Sequence, residues 1–144
     1  MMRRRRDFIL SLALILAGGM IYVLFRPRTT LLFVVIDAIG LGRVADVWRL
    51  AVADISLPEL MINSLPDGLW STAYVLVIDG LFLSCPASVR LKWASVIPLI
   101  GAVSELLQGA RLLPGTFDLT DFLFYVTPFL VYLCIIKKRT RYEN

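Results

Sequence analysis

The sequence predicts an all-α fold: a polytopic membrane helix bundle of four transmembrane helices, with an interfacial amphipathic helical segment between the first and the second. Three observations predict it. Of 144 residues, 58% are hydrophobic and 18% charged, against about 45–50% and about 25% in soluble domains. The mean hydropathy is +0.78. The apolar residues also gather into four runs, each near the ~20 residues that cross ~30 Å of hydrocarbon. A chain this rich in Leu, Ile, Val and Phe is not disordered.

The spans are expected at about 8–25, 66–83, 93–109 and 121–136 of a single membrane domain covering 1–144. The first follows four arginines at 3–6, holds no charge and stops at Arg26-Pro27-Arg28. A small-x-small cleavage site is missing, so this run reads as a retained helix and not as a signal peptide. The second is led in by Leu65-Pro66-Asp67-Gly68 and carries Asp79, for which Arg90 or Lys92 is the expected partner. The third carries Glu105, and the fourth ends at Lys137-Lys138-Arg139. Pro98 and Pro128 are expected to kink the last two helices. Trp70, Trp93, Tyr125 and Tyr142 suit positions at the membrane surfaces.

Charge orients the bundle. With four spans, ten of the fifteen basic residues fall on one side: Arg3, Arg4, Arg5, Arg6, Arg90, Lys92, Lys137, Lys138, Arg139 and Arg141. Arg26, Arg28, Arg43, Arg49 and Arg111 fall on the other. The positive-inside rule puts the ten, and both termini, in the cytoplasm. The net charge of +4 is then topogenic and not a nucleic-acid footprint.

Residue types exclude several chemistries. There is no histidine, which removes Ser-His-Asp triads, His general bases and the HExxH zinc site. Cys85 and Cys134 are too few for a four-cysteine metal site, and both map near the cytoplasmic face, where thiols stay reduced. No cofactor and no metal are expected.

Residues 30–60 are expected to form one or two helices on the outer surface or tucked into the bundle. Leu31 to Ile39 is apolar except for Asp37 but about half the length of a span. Beyond it, Val44, Val47, Trp48, Ala51, Val52 and Ile55 repeat at helical spacing, with Arg43, Asp46, Arg49 and Asp54 off that face. Such a helix suits the interface plane. The competing reading is an extramembrane mini-domain that buries the apolar face.

The candidate site is a polar constellation at the outer end: Asp67, Glu105, Gln108, Arg111, Asp118 and Asp121. An ionised acid such as Glu105 costs about 2.5–3.5 kcal/mol inside a span. Gln108 shares its face, and Gly101, one turn earlier, allows close helix approach. Asp118, Thr120 and Asp121 lead into the fourth span. Ser64 resembles an N-cap with Asp67 at the acidic position of a capping box. The constellation suits a ligand site, a proton relay, or a lock joining helix ends through a Glu105–Arg111 pair and cap bonds.

Ser104-Glu105-Leu106-Leu107-Gln108, followed by Pro114-Gly115-Thr116-Phe117-Asp118-Leu119-Thr120-Asp121-Phe122, resembles the VanZ-like membrane proteins over about residues 64–136. Their signature is E-x-x-Q, a short loop with an Arg, then D-x-x-D opening the last helix. Glu105, Gln108, Asp118 and Asp121 match it, and Asp67 occupies the family's other acidic helix start. The usual P-G-R of the loop reads Pro114-Gly115-Thr116 here, Arg111 is the loop's Arg, and Tyr125, Val126 and Thr127 replace the usual Asn and Gly. The resemblance implies a small polytopic protein of the bacterial cell envelope, in the inner membrane, with a link to glycopeptide resistance.

The resulting expectation is a binding protein whose acidic cluster meets an envelope lipid or cell-wall precursor. A second class is a small carboxylate-dependent or metal-assisted enzyme using Glu105, Asp118 and Asp121. A third is an accessory subunit of a larger membrane complex, or a homo-oligomer. No nucleophile stands out.

Overall fold

A computed structural model of the chain describes residues 2–143. The side chains of Arg3, Arg139, Thr140, Arg141, Tyr142 and Glu143 lie outside that description. The described residues form eight helices and no strand: α1 Met2–Phe25, α2 Leu31–Ala38, α3 Gly42–Ala51, α4 Glu59–Asn63, α5 Leu65–Leu81, α6 Ala87–Ala94, α7 Val96–Gly109 and α8 Leu119–Glu143. The all-α expectation holds.

Two helices are long and apolar enough to cross a membrane, at Arg4–Phe25 within α1 and Leu119–Lys138 within α8. Only 11% of either stretch is buried inside the protein, unlike the core helix of a soluble domain. The other two expected spans are helical but shorter than a full crossing, and the third is interrupted. The second, expected at 66–83, is α5, with 17 residues, about 25 Å; the short α4 precedes it across a break at Ser64. The third divides at Ser95 into α6 and α7. Proline explains both breaks, because it brings no N–H to the carbonyl four residues back. Pro66 strips the ladder at Ile62, and Pro98 strips it at Ala94. Both joints keep helical backbone, with Ser64 and Ser95 in the right-handed region. Bonds from Ser64 N–H to Leu60 C=O and from Ser95 N–H to Leu91 C=O, each 3.1 Å, cross the breaks. Pro128 lies inside α8, which continues past it.

The orphaned carbonyl at the first break has a specific partner. Arg26 Nε donates to Ile62 O at 3.2 Å, and Arg26 Nη2 donates to Asn63 O at 2.7 Å. At the second break the Tyr74 hydroxyl donates to Trp93 O at 2.7 Å.

The long helices pack in a row: α1 along α5, α5 along α8, and α8 along α7. The central α5 buries small residues, among them Gly68, Ser71, Ala73 and Gly80. Small residues let the helix backbones approach closely. Trp70 reaches α1, where its indole N–H donates to Ile15 O at 3.3 Å beside Gly18. The densest apolar packing, around Val75, Ile78, Ala94, Tyr132 and Ile136, surrounds Asp79. Asp79 itself is only 3% exposed. It pairs with Arg90, as expected, and also accepts a hydrogen bond from the Tyr132 hydroxyl at 2.6 Å.

Residues 30–60 form α2, α3 and the start of α4, three helices where one or two were expected. The amphipathic helix is present, ending at Ala51 and not Ile55. Its apolar face is not buried by the protein: Val47 is 63% exposed and Trp48 49%. The polar face turns inward. Arg49 donates to Val23 O in the last turn of α1 at 2.8 Å and to Arg26 O just beyond its end at 2.7 Å. Arg28 bridges Asp46 at 2.6 Å and Asp37 at 2.5 Å. The Arg28 and Arg49 guanidiniums stand 5.5 Å and 5.3 Å from the centre of the Phe33 ring, which is completely buried. This arrangement contradicts a mini-domain folded around the apolar face.

Candidate functional site

Three helix ends meet at one end of the row: the start of α5, the end of α7 and the start of α8. Glu105 is the organising residue, 5% exposed near the end of α7. One carboxylate oxygen accepts from Gln108 Nε2 at 3.2 Å, and the other accepts the backbone N–H of Asp118 at 3.1 Å. The α7–α8 loop is thereby tied back to the helix it leaves. Gly115, at φ +128°, is needed in that loop, because a side chain there would be strained and would collide with the Gln108 amide.

Asp118 opens α8. Its carboxylate accepts the Thr120 N–H at 2.7 Å and the Thr120 hydroxyl at 2.6 Å, an N-cap bond of the usual kind. The Thr120 hydroxyl and N–H hold Asp118 below the ordinary carboxylate pKa. Thr120 Oγ1 also lies 3.1 Å from Ser64 Oγ, joining the starts of α8 and α5.

That contact corrects one expectation. Ser64 does not cap α5, and no side-chain cap bond is formed there. Its helical backbone passes the chain from α4 directly into α5, where the Gly68 N–H reaches Ser64 O at 3.2 Å. Asp67 is therefore released from capping and faces the Tyr125 hydroxyl of α8 instead. Asp121 and Glu105 lie within electrostatic reach of the same pair, and Arg26 acts on Asp67 from the α1 side. Asp67 and Asp121 each sit in a first turn, where the positive end of the helix dipole tolerates a carboxylate.

Asp121 differs from its neighbours. Its Oδ1 is buried and has no hydrogen-bond partner. A buried carboxylate oxygen left unmet costs about 1–3 kcal/mol or more.

The structure thus brings Asp67, Glu105, Gln108, Asp118 and Asp121 together, and leaves Arg111 out. Arg111 is exposed on the loop with φ +59°. Among the described residues no ion pair joins it to Glu105, whose oxygens are taken by Gln108 and Asp118. No group of three Asp, Glu or Cys among the described residues is arranged to hold a metal ion.

Sequence reasoning missed Tyr125, placed at the membrane surface by residue type, and Arg26, read only as topogenic charge. Tyr125 packs its ring onto Gly101 of α7, and Ser71 Oγ donates to its carbonyl at 2.9 Å. A signal was present in Gly101, whose expected close approach required some large partner.

Comparison with protein-family models, with curated proteins and with solved structures finds no match to this chain. Fold and site define an all-helical protein with two helices long and apolar enough to cross a membrane, and one acid-rich junction of three helix ends.

Proposed function

We propose that this chain is a four-span, VanZ-like protein of the bacterial inner membrane, and that its acidic junction binds a hydrogen-bond-donating headgroup of an envelope lipid or cell-wall precursor. The observation that carries the binding reading is Asp121 Oδ1, buried beside Asp67 and Glu105 with no protein donor. A donor supplied from outside, such as an ammonium or a sugar hydroxyl, would meet it.

The topology rests on two supports. Taken through their helical joints, α4–α5 and α6–α7 each run about 34 Å at 1.5 Å per residue, enough for ~30 Å of hydrocarbon. The outward apolar face of α3, beside the end of α1, suits lipid at the surface. With both termini in the cytoplasm, the junction lies on the outer side. Family membership is supported by the pairing of Glu105 with Gln108 and Asp118, the residues of the shared signature.

The test is thermal unfolding of the purified protein in detergent against envelope lipids and divalent cations, with Glu105→Gln and Asp121→Asn alongside. A bound ligand at a hundredfold excess over its Kd adds about 2.7 kcal/mol of stability. A lipid-dependent shift lost in Asp121→Asn is expected. Absence of any shift, with both variants destabilised, would leave the acids as fasteners of helix ends.

A further inference from the structure

The two ends of the helix row handle charge in opposite ways. At the junction end, basic groups are turned onto the protein: Arg26 and Arg49 hold carbonyls, and Arg28 bridges Asp37 and Asp46. At the far end the acids are inside. Asp7 is 2% exposed and paired with Arg6, and Asp79 is enclosed with Arg90 and Tyr132. Arg4, Arg5, Lys92, Lys137 and Lys138 are exposed there, and the ion pairs described at this end use Arg6 and Arg90 instead.

The fold gathers these five from three stretches of the chain. α1 runs antiparallel to α5, with Trp70 beside Gly18 and with Phe8 and Arg4 against Gly80. α8 runs parallel to α5, from the Gly68–Phe124 contact to the bond between Asp79 and Tyr132. Ile136 therefore packs with Ile78 and Ala94, and Lys137 and Lys138 follow directly. Arg90 fastens α6 to Asp79, which sets Lys92 at the same end. Orientation in a membrane asks only for an excess of basic residues on one side. It does not ask that they surround one point, or that the acids among them be withdrawn from the surface.

Position selects the partner. α1 and α8 hold the two stretches long and apolar enough to cross a membrane, Arg4–Phe25 and Leu119–Lys138, so basic residues stand at the start of one and the end of the other. Such side chains lie at headgroup depth and reach headgroups with flexible apolar stems. Trp93, 48% exposed next to Lys92 and stacked on Phe82 at 6.1 Å, suits the same depth. A nucleic acid or an acidic protein would have to displace a headgroup layer already in place.

We infer that the end of the row formed by α1, α6 and α8 is one docking surface for the anionic phospholipid headgroups of the leaflet it meets. The inference is independent of the binding reading above. It needs only that α1 and α8 cross the bilayer, and it concerns the opposite end of the molecule.

The experiment uses the full chain in vesicles of phosphatidylcholine and phosphatidylglycerol in equal parts, alike in both leaflets, so that orientation does not enter. Trp48 and Trp70 are replaced by Phe throughout, which leaves Trp93 as the reporter. One lipid or the other carries bromine in its tail, and the quenching of Trp93 gives the preference between them. A roughly fivefold preference for phosphatidylglycerol is expected, the weight of about one basic residue at an anionic surface. It should fade between about 0.1 M and about 1 M salt, where the Debye length falls from ~10 Å to ~3 Å. Arg4→Gln, Arg5→Gln, Lys137→Gln and Lys138→Gln together, all remote from Trp93 in sequence, should bring the preference near unity, while Arg4→Lys with Arg5→Lys should keep it. Equal quenching by the two lipids before any charge is changed overturns the inference, whether or not the four-site variant folds. A preference that survives the four substitutions leaves Lys92 acting by itself and overturns the single surface. An oligonucleotide held by the vesicles while the two lipids quench alike would give the surface to nucleic acid.

Discussion

The Glu105 carboxylate accepts the backbone N–H of Asp118 at 3.1 Å across the α7–α8 loop. One buried acid thus fixes where the last helix starts. Glu105→Ala leaves both the Asp118 N–H and the Gln108 amide without this acceptor, and should cost about 1–3 kcal/mol. Glu105→Gln keeps an oxygen and should cost less. Thermal unfolding in detergent micelles measures both, and protease cutting between 110 and 118 should rise in the alanine variant first. Equal unfolding temperatures for all three proteins would contradict the anchoring role.

Asp118 gives a pH dependence with a definite sign. Its folded pKa is lowered by the Thr120 bonds, so its contribution is present above the ordinary value of 3.8 and is lost as pH falls through the folded value. The difference in unfolding temperature between wild type and Asp118→Ala should stay level from neutral pH to about pH 5 and shrink below about pH 4. Asp118→Asn retains a capping oxygen and should lack that acid-side loss. A gap that grows on acidification would reverse the assignment.

At the other end of the row, Tyr132 and Arg90 both engage Asp79. Tyr132→Phe removes one hydrogen bond to a charged group and should cost about 1.5–3 kcal/mol. Asp79→Asn leaves the half-buried Arg90 without its counter-charge and should cost more, about 3–5 kcal/mol. Denaturant titration of the two variants ranks them; the opposite order would mean that Arg90 finds water or another partner.

The outward face of α3 makes a prediction about depth. Trp48 should be quenched by lipids brominated near the headgroup end of the tail, and Arg49→Ala, which frees α3 from the end of α1, should reduce that quenching or shift its depth. Since Trp70 and Trp93 also emit, the comparison is made with both replaced by Phe. Quenching by aqueous iodide in place of lipid bromine would put the face in water.

Much of this protein is legible in its sequence, for reasons that can be assigned. The apolar runs, the helical repeat of residues 44–51 and the acids that open or close helices are local patterns, and they produced helices close to the expected places. The interruptions at Ser64 and Ser95 were legible too, since Pro66 and Pro98 each remove a ladder bond. The expected second span accordingly begins at 66, and Pro98 was expected to kink the third helix, which breaks at Ser95. Ser64 and Asp67 show a different outcome. Their capping signature is sound, but α4 runs into α5 with helical backbone and leaves nothing there to cap.

The sequence by itself determined the helical class and the apolar stretches, and it offered six polar residues for one end of the molecule. Only the tertiary structure decided that Arg26 would take the carbonyl Pro66 leaves open, that Tyr125 would lie on Gly101 facing Asp67, that Arg111 would stay outside, and that α3 would turn its polar side to α1. The reason is physical. A helical repeat states that a helix has two faces, but when lipid and protein interior are equally apolar it does not state which of them meets the apolar one. That choice falls to a few directional bonds, such as those of Arg49 to the end of α1, whose partners are distant in the chain.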